Sequence, residues 1–210
     1  MRSNFKINKN EFVVYIFFFL ISFCKGIGLN NSNPIYLMIY ISGMCLATIK
    51  LFNIGFKKRE LILLMTILVI GCLDFVIGKE TTILFTGITL IFLKKTDLSE
   101  IIKALFYGRF IGFLFMIILP IVGVLDMNIL SFYRDGEFIK RYAFGYSHPN
   151  LAHSTFNIIV IMWIYLYFDK IRLKDILFLE IMTYILYKYT YSRTGFALLA
   201  FFLVLVYVTK

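Results

Sequence analysis

Residues 134 to 157 have the sequence RDGEFIKRYAFGYSHPNLAHSTFN, in which a charged segment passes into the start of an apolar run. Polar residues continue beyond that border at the spacing i, i+3, i+4 and i+7, which is one helix face over two turns. This polar stripe consists of Asn150, His153, Ser154 and Asn157. Polar groups that face lipid hydrocarbon are costly, so we expect the stripe to face protein or a water-filled cavity.

The rest of the chain has the composition of an integral membrane protein. Of its 210 residues, 60% are hydrophobic and 19% aromatic, and the mean hydropathy is +0.85. Soluble domains are only about 45 to 50% apolar. The net charge of +10 does not indicate nucleic acid here, because the basic residues flank apolar runs, where they set membrane topology. The three cysteines lie inside apolar runs without CxxC spacing, so neither a disulfide framework nor a metal site is predicted.

Eight apolar runs predict an all-α fold, a polytopic transmembrane bundle with about eight spans and an outer loop between spans five and six. We expect a single membrane domain over residues 1–210. The fourth run is short for a span of roughly 20 residues. The predicted spans are 12–29, 34–52, 61–78, 82–93, 104–125, 149–168, 175–190 and 194–209.

The distribution of basic residues predicts the orientation. Fourteen Lys and Arg residues fall on one side of this arrangement and six on the other. The side with more positive charge is normally cytoplasmic, so both termini are predicted inside. The loop 134–148 and the turn around Arg193 are then predicted outside.

Two predicted helix starts on the outer side favour an anion site. Pro149 is suited to the first helical position, with Ser147 or His148 as the cap, and Ser192 or Thr194 can cap the eighth span. Helix amino termini present free N–H groups and a positive dipole end. With the basic residues nearby they would suit a phosphate or diphosphate best. Those basic residues are Arg134, Lys140, Arg141 and Arg193.

A plainer alternative remains open, in which these arginines pair with Asp126, Asp135 and Glu137 or with lipid phosphates. His148 and His153 are five residues apart and do not share a helix face, so a metal pair is not expected. His148, at a cap and near arginines, is a candidate general base, whereas His153 is better explained as a buried, hydrogen-bonded histidine.

The pattern RYAFGYSHPN at residues 141–150, followed by YSRTG at 191–195, resembles the Wzy-type polysaccharide polymerases and the related O-antigen ligases. The resemblance covers mainly residues 134–207. Members of that family are usually much longer, so it implies that this chain corresponds to the amino-terminal part only, with a truncated or inactive catalyst as one outcome.

The resemblance implies a membrane glycosyltransferase in the bacterial cytoplasmic membrane. Such an enzyme polymerises oligosaccharide repeats carried on undecaprenyl diphosphate into capsular, exo- or O-antigen polysaccharide. It implies no cofactor, no metal and no nucleotide sugar. The implied partners are the lipid-linked oligosaccharide, membrane lipids and other polysaccharide-assembly proteins.

By the same resemblance, Arg141 and Arg193 would bind the diphosphate and stabilise its developing charge. His148 would be the catalytic base for the acceptor hydroxyl, and Asn150 a polar contact to the substrate. Ser192 and Arg134 complete the expected binding residues. Two alternatives remain: a transporter or flippase component for a lipid-linked glycan, in which the polar stripe lines a path, or a non-catalytic membrane subunit.

Overall fold

The computed structural model describes residues 9–30, 32–53, 55–78, 80–94, 96–134 and 136–209. The fold is 77% helix. The described helices and strands are α1 Lys9–Gly26, α2 Pro34–Asn53, α3 Lys58–Gly78, α4 Thr82–Leu93, α5 Leu98–Ile121, β1 Ile129–Arg134, β2 Glu137–Tyr142, α6 Pro149–Tyr167, α7 Leu173–Thr190 and α8 Arg193–Val208. The basic tail at residues 1–8, with Lys79, Lys95, Asp135 and Lys210, lies outside the described residues.

Three described helices are long and apolar enough to cross a membrane: α3, α5, and α6 with the 3-10 turn that follows it. The prediction of eight spans is therefore not supported by helix length and composition. The 12 residues of α4 reach only ~18 Å at 1.5 Å per residue, against a hydrocarbon core of about 30 Å. α1 and α7 contain several charged residues, which make a full apolar crossing costly.

The loop between α5 and α6 contains a β-hairpin, so the all-α prediction was wrong there. β1 and β2 pair antiparallel, with Arg134 opposite Glu137. Two residues connect the strands, and Gly136 has φ of +89°, a conformation that costs glycine little. An Asp-Gly pair between runs rich in aromatic and β-branched residues is a strong hairpin signal. The prediction at this place is only a charged loop.

The chain divides into two compact units, Met1–Ile21 with Leu29–Leu105, and Ser22–Gly28 with Phe106–Lys210. In the first unit α4 packs against α2 and α3. Gly71 of α3 allows a close approach, because a Cβ there would lie 2.8 Å from the backbone nitrogen of Leu84. The hydroxyl of Tyr40 donates to the carbonyl oxygen of Thr81 at 3.0 Å, which ties α2 to the start of α4.

In the second unit α6, α7 and α8 pack together, and β2 contacts α7. A buried cluster joins these three helices and includes Val160, Ile164, Ile176, Leu199 and Leu203. At the opposite end of this helix group, the amino termini of α6 and α8 and the carboxyl end of α7 lie together, where His153 contacts Thr190 and Asn157 contacts Gly195. The two sequence motifs, residues 141–150 and 191–195, lie at the end of the helix group that is next to the hairpin.

Candidate functional site

Arg141 joins three elements of the second unit. Its Nε donates to the carbonyl oxygen of Thr190 at 2.6 Å, at the end of α7. Its Nη2 donates to Oδ1 of Asn150, in the first turn of α6. The guanidinium carbon also lies 5.7 Å from the ring centroid of Phe132 on β1. We call the group Arg141, Asn150 and Thr190 the polar junction.

Arg193 is close to the polar junction along the chain, because a short turn joins Thr190, at the end of α7, to Arg193, at the start of α8. Tyr191 has φ of +48°, which reverses the chain directly after Thr190. Ser192 is the amino-terminal cap residue of α8, as predicted, but its side chain makes no capping hydrogen bond and is buried. Arg193 follows as the first helical residue and is exposed. Arg141 is therefore bonded to the turn from which Arg193 projects.

His148 caps α6, as the sequence predicted, with Pro149 at the first helical position. Its Nδ1 accepts a hydrogen bond from the backbone nitrogen of Asn150 at 3.1 Å. A neutral imidazole that accepts at Nδ1 carries its proton on Nε2. For His148 to act as a base, that cap would have to open or the proton would have to move.

Two of the four residues of the polar stripe are turned into the protein, His153 and Asn157, whereas Asn150 and Ser154 are exposed. His153 is fully buried, and its Nδ1 lies 3.3 Å from the hydroxyl oxygen of Thr190. Asn157 donates from Nδ2 to the carbonyl oxygen of Gly195 at 2.9 Å. Ser154 differs, because it is exposed and its hydroxyl donates to a carbonyl of its own helix. Within the described residues, Nε2 of His153 and Oδ1 of Asn157 are buried without a hydrogen-bond partner.

Gly195 makes the contact between α6 and α8 possible. A Cβ at this position would lie 2.5 Å from Cδ2 of His153 and 2.9 Å from Oγ of Ser192. Any side chain would therefore force the two helices or the imidazole ring to move. The glycine of the YSRTG motif thus has a packing role that its spacing alone did not reveal.

An apolar cavity of about 470 Å³ is lined in part by residues that adjoin the polar junction along the chain. Its lining includes Tyr142, which follows Arg141 in β2, and Tyr189, which precedes Thr190 in α7. The centroids of these two rings are 5.9 Å apart. We call it the aromatic cavity; its other walls include Phe113, Phe144, Phe156 and Met182. The volume is within the range of small-molecule sites, roughly 300 to 1,000 Å³.

The backbone of Arg134 does not lie near the polar junction. It ends β1 beside the hairpin turn, whereas the residue of β1 opposite Arg141 is Leu130. Four residues along a strand correspond to ~13 Å. The side chain of Arg134 lies outside the described part of the chain, so its binding role stays a prediction.

Tyr146 is a structural residue that the sequence did not single out. Its ring is 1% exposed, and its hydroxyl donates to the carbonyl oxygen of Gly26 at the end of α1. Burial raises the pKa of this phenol, so it stays protonated as the donor. The partner is distant in sequence, and no local pattern could have revealed it.

Among the described residues, no group of three or more His, Cys, Asp and Glu side chains could hold a metal ion. Comparisons of the chain with family models, curated proteins and solved structures found no match. The polar junction and the aromatic cavity are therefore the basis for a functional proposal.

Proposed function

We propose that this chain is a membrane glycosyltransferase that uses a polyprenyl diphosphate-linked oligosaccharide and extends it into a polysaccharide. The observation that carries the proposal is that Tyr142 and Tyr189, the chain neighbours of Arg141 and Thr190, line the aromatic cavity. Such a site offers cationic and N–H donors to a phosphate group and an apolar wall to a hydrocarbon chain. A lipid diphosphate has both parts.

The chemistry suits the donors at this site. In the transfer, the bond between the anomeric carbon and the diphosphate oxygen breaks, and the diphosphate leaves with the electron pair. The hydroxyl oxygen of the acceptor sugar forms the new bond and loses its proton to a base or water. Negative charge therefore develops on the leaving diphosphate, where helix amino termini and arginines stabilise it.

The residues have unequal parts in this proposal. Arg193 is the proposed diphosphate ligand, because it stands exposed at the first position of α8. Asn150 uses Oδ1 for Arg141, so it offers its Nδ2 donors to the substrate. Arg141 itself is a positioning residue, since its guanidinium holds β2, α6 and α7 together. His148 offers its Nε2 proton as a donor while its cap is closed.

Binding is tested first, with purified full chain in nanodiscs and undecaprenyl diphosphate as the probe. We expect the wild type to bind the lipid and inorganic diphosphate to compete only weakly, because it cannot occupy the aromatic cavity. Arg193→Lys should reduce lipid affinity about tenfold or more, since a point charge replaces a planar fork. Arg59→Lys is the matched control, because Arg59 is also exposed and lies in the first turn of a helix. Equal affinity in wild type and both variants would refute the site.

Glycosyl transfer is tested separately, with lipid-linked oligosaccharides that are extracted from the organism in which this protein naturally occurs. The expected result is longer glycan products together with released undecaprenyl diphosphate. Binding without either product would favour the alternatives, a transporter component or a non-catalytic subunit.

The proposal also includes the finer topology, with up to eight membrane crossings and α6 and α8 beginning on the outer side. Single cysteines at Ser147 and Asp169, in a cysteine-free background, test this in intact cells. Both positions are exposed in the structure. A membrane-impermeant maleimide should label the cysteine at Ser147 and not the one at Asp169. The reverse pattern would show that the candidate site faces the cytoplasm.

A further inference from the structure

The two faces of the hairpin differ. In the register of β1 and β2, Tyr133 is opposite Phe138, and Leu130 is opposite Arg141. Because side chains alternate along a strand, Phe132 and Arg141 share one face, whereas Tyr133 and Phe138 share the other. On the first face Phe132 and Arg141 are half-buried, and the guanidinium binds the ends of α6 and α7.

The second face, which we call the outer hairpin face, carries an exposed aromatic pair. Tyr133 is 65% exposed and Phe138 is 80% exposed, yet their ring centroids are only 5.2 Å apart. Ile129, on the same face, is 48% exposed, whereas Tyr142, opposite Ile129, is half-buried and its ring lies 5.9 Å from that of Tyr189. An isolated two-stranded hairpin is marginally stable in water, so apolar rings on its open side indicate a second surface there.

Charge and connectivity indicate what covers this face. Lys140 is exposed on the outer hairpin face, whereas Glu137 lies on the opposite one. Aromatic rings together with lysine are the composition of membrane interfaces, where lipid phosphates are the partner. The hairpin also connects α5 to α6, two helices able to span the bilayer, so it starts and ends at the membrane boundary.

We propose that the outer hairpin face lies on the headgroup region of the bilayer, with Tyr133 and Phe138 inserted among the lipids and Lys140 directed to their phosphates. The hairpin is then held at its base by the polar junction and the contact of Tyr142 with Tyr189, and toward its turn by lipid on the outer hairpin face. This does not depend on the glycosyltransferase proposal, because it requires only that α5 and α6 cross a membrane.

The test uses tryptophan fluorescence of the full chain in phosphatidylglycerol vesicles. Replacing the single native tryptophan, Trp163→Phe, gives a silent background. Phe138→Trp then reports on the outer hairpin face, and Glu137→Trp is its neighbour on the opposite face. Tyr133→Trp replaces the first probe if that variant does not fold by circular dichroism.

We expect brominated lipid to remove most of the Phe138→Trp emission and iodide to have little effect on it. Glu137→Trp should show the reverse. Quenching of both variants by iodide would overturn the proposal, since the face would then lie in water. Protection of Phe138→Trp from both quenchers would overturn it as well, because protein, such as a second copy of the chain, would then cover the rings.

Discussion

Replacing Gly195 by alanine should loosen the contact between α6 and α8 at the candidate site. The added Cβ would lie 2.5 Å from Cδ2 of His153 and 3.1 Å from Cγ of the same ring. The imidazole cannot simply swing away, because it is fully buried and its Nδ1 lies against Thr190. Overpacking of this kind typically costs about 1 to 3 kcal/mol.

Part of that cost is offset, because alanine is better than glycine in a helix by roughly 0.5 to 1 kcal/mol. We therefore expect Gly195→Ala to lower the free energy of unfolding by ~1 to 2 kcal/mol. The measurement is unfolding in mixed micelles, followed by far-UV circular dichroism. Gly55→Ala is the control, because a Cβ added at Gly55 would meet no atom within 4 Å.

A double-mutant cycle identifies the cause. In a His153→Ala background the clashing ring is gone and only Oγ of Ser192, at 2.9 Å, still lies close to the added Cβ, so Gly195→Ala should cost much less. A coupling of about 1 kcal/mol or more is expected for residues in direct contact. If Gly195→Ala costs the same with and without the imidazole, the close approach at this position is not what limits packing, and the reasoning fails.

Two further substitutions test the loop between β2 and α6. Tyr146→Phe removes the donor to the Gly26 carbonyl and should cost about 1 to 3 kcal/mol by the same unfolding measurement, whereas Tyr133→Phe, at an exposed ring, should cost almost nothing. His148→Ala removes the acceptor for the Asn150 backbone and should cost ~0.5 to 2 kcal/mol, with His148→Asn largely restoring stability because asparagine is a good cap. Equal stability of the two His148 variants would mean that the cap contributes nothing.

The helices were largely predictable because the chain marks their ends. The run predicted at 149–168 is observed as Pro149–Tyr167, since a proline at the first position and a preceding cap fix its start. The predicted 82–93 run is observed as Thr82–Leu93. Apolar content did not show whether each helix crosses a membrane, because a short or charged helix can be just as apolar over part of its length.

The hairpin and the long-range contacts were not predictable in the same way. Residues 129–142 carry several charges that mask the alternation of β1 and β2. The bond from Tyr146 to Gly26 joins segments 120 residues apart, and no spacing rule reaches that far. The polar stripe was recognised because helical spacing is local, but its partners Thr190 and Gly195 depend on how α7 and α8 pack.

The sequence shows which basic residues lie near the starts of α6 and α8, but it does not distinguish a binding arginine from a structural one. Arg141 has five N–H donors, and the fold already uses its Nε and Nη2 on Thr190 and Asn150. A substitution at Arg141 therefore alters the positions of three elements as well as the local charge. Loss of lipid binding in such a variant would not show that Arg141 itself contacts the lipid. Arg193 is exposed and begins α8 after that bonded turn, so its substitution is the more direct test of a binding role. The decisive comparison is thus between lipid affinity and stability at Arg193, where a binding role predicts loss of the first without the second.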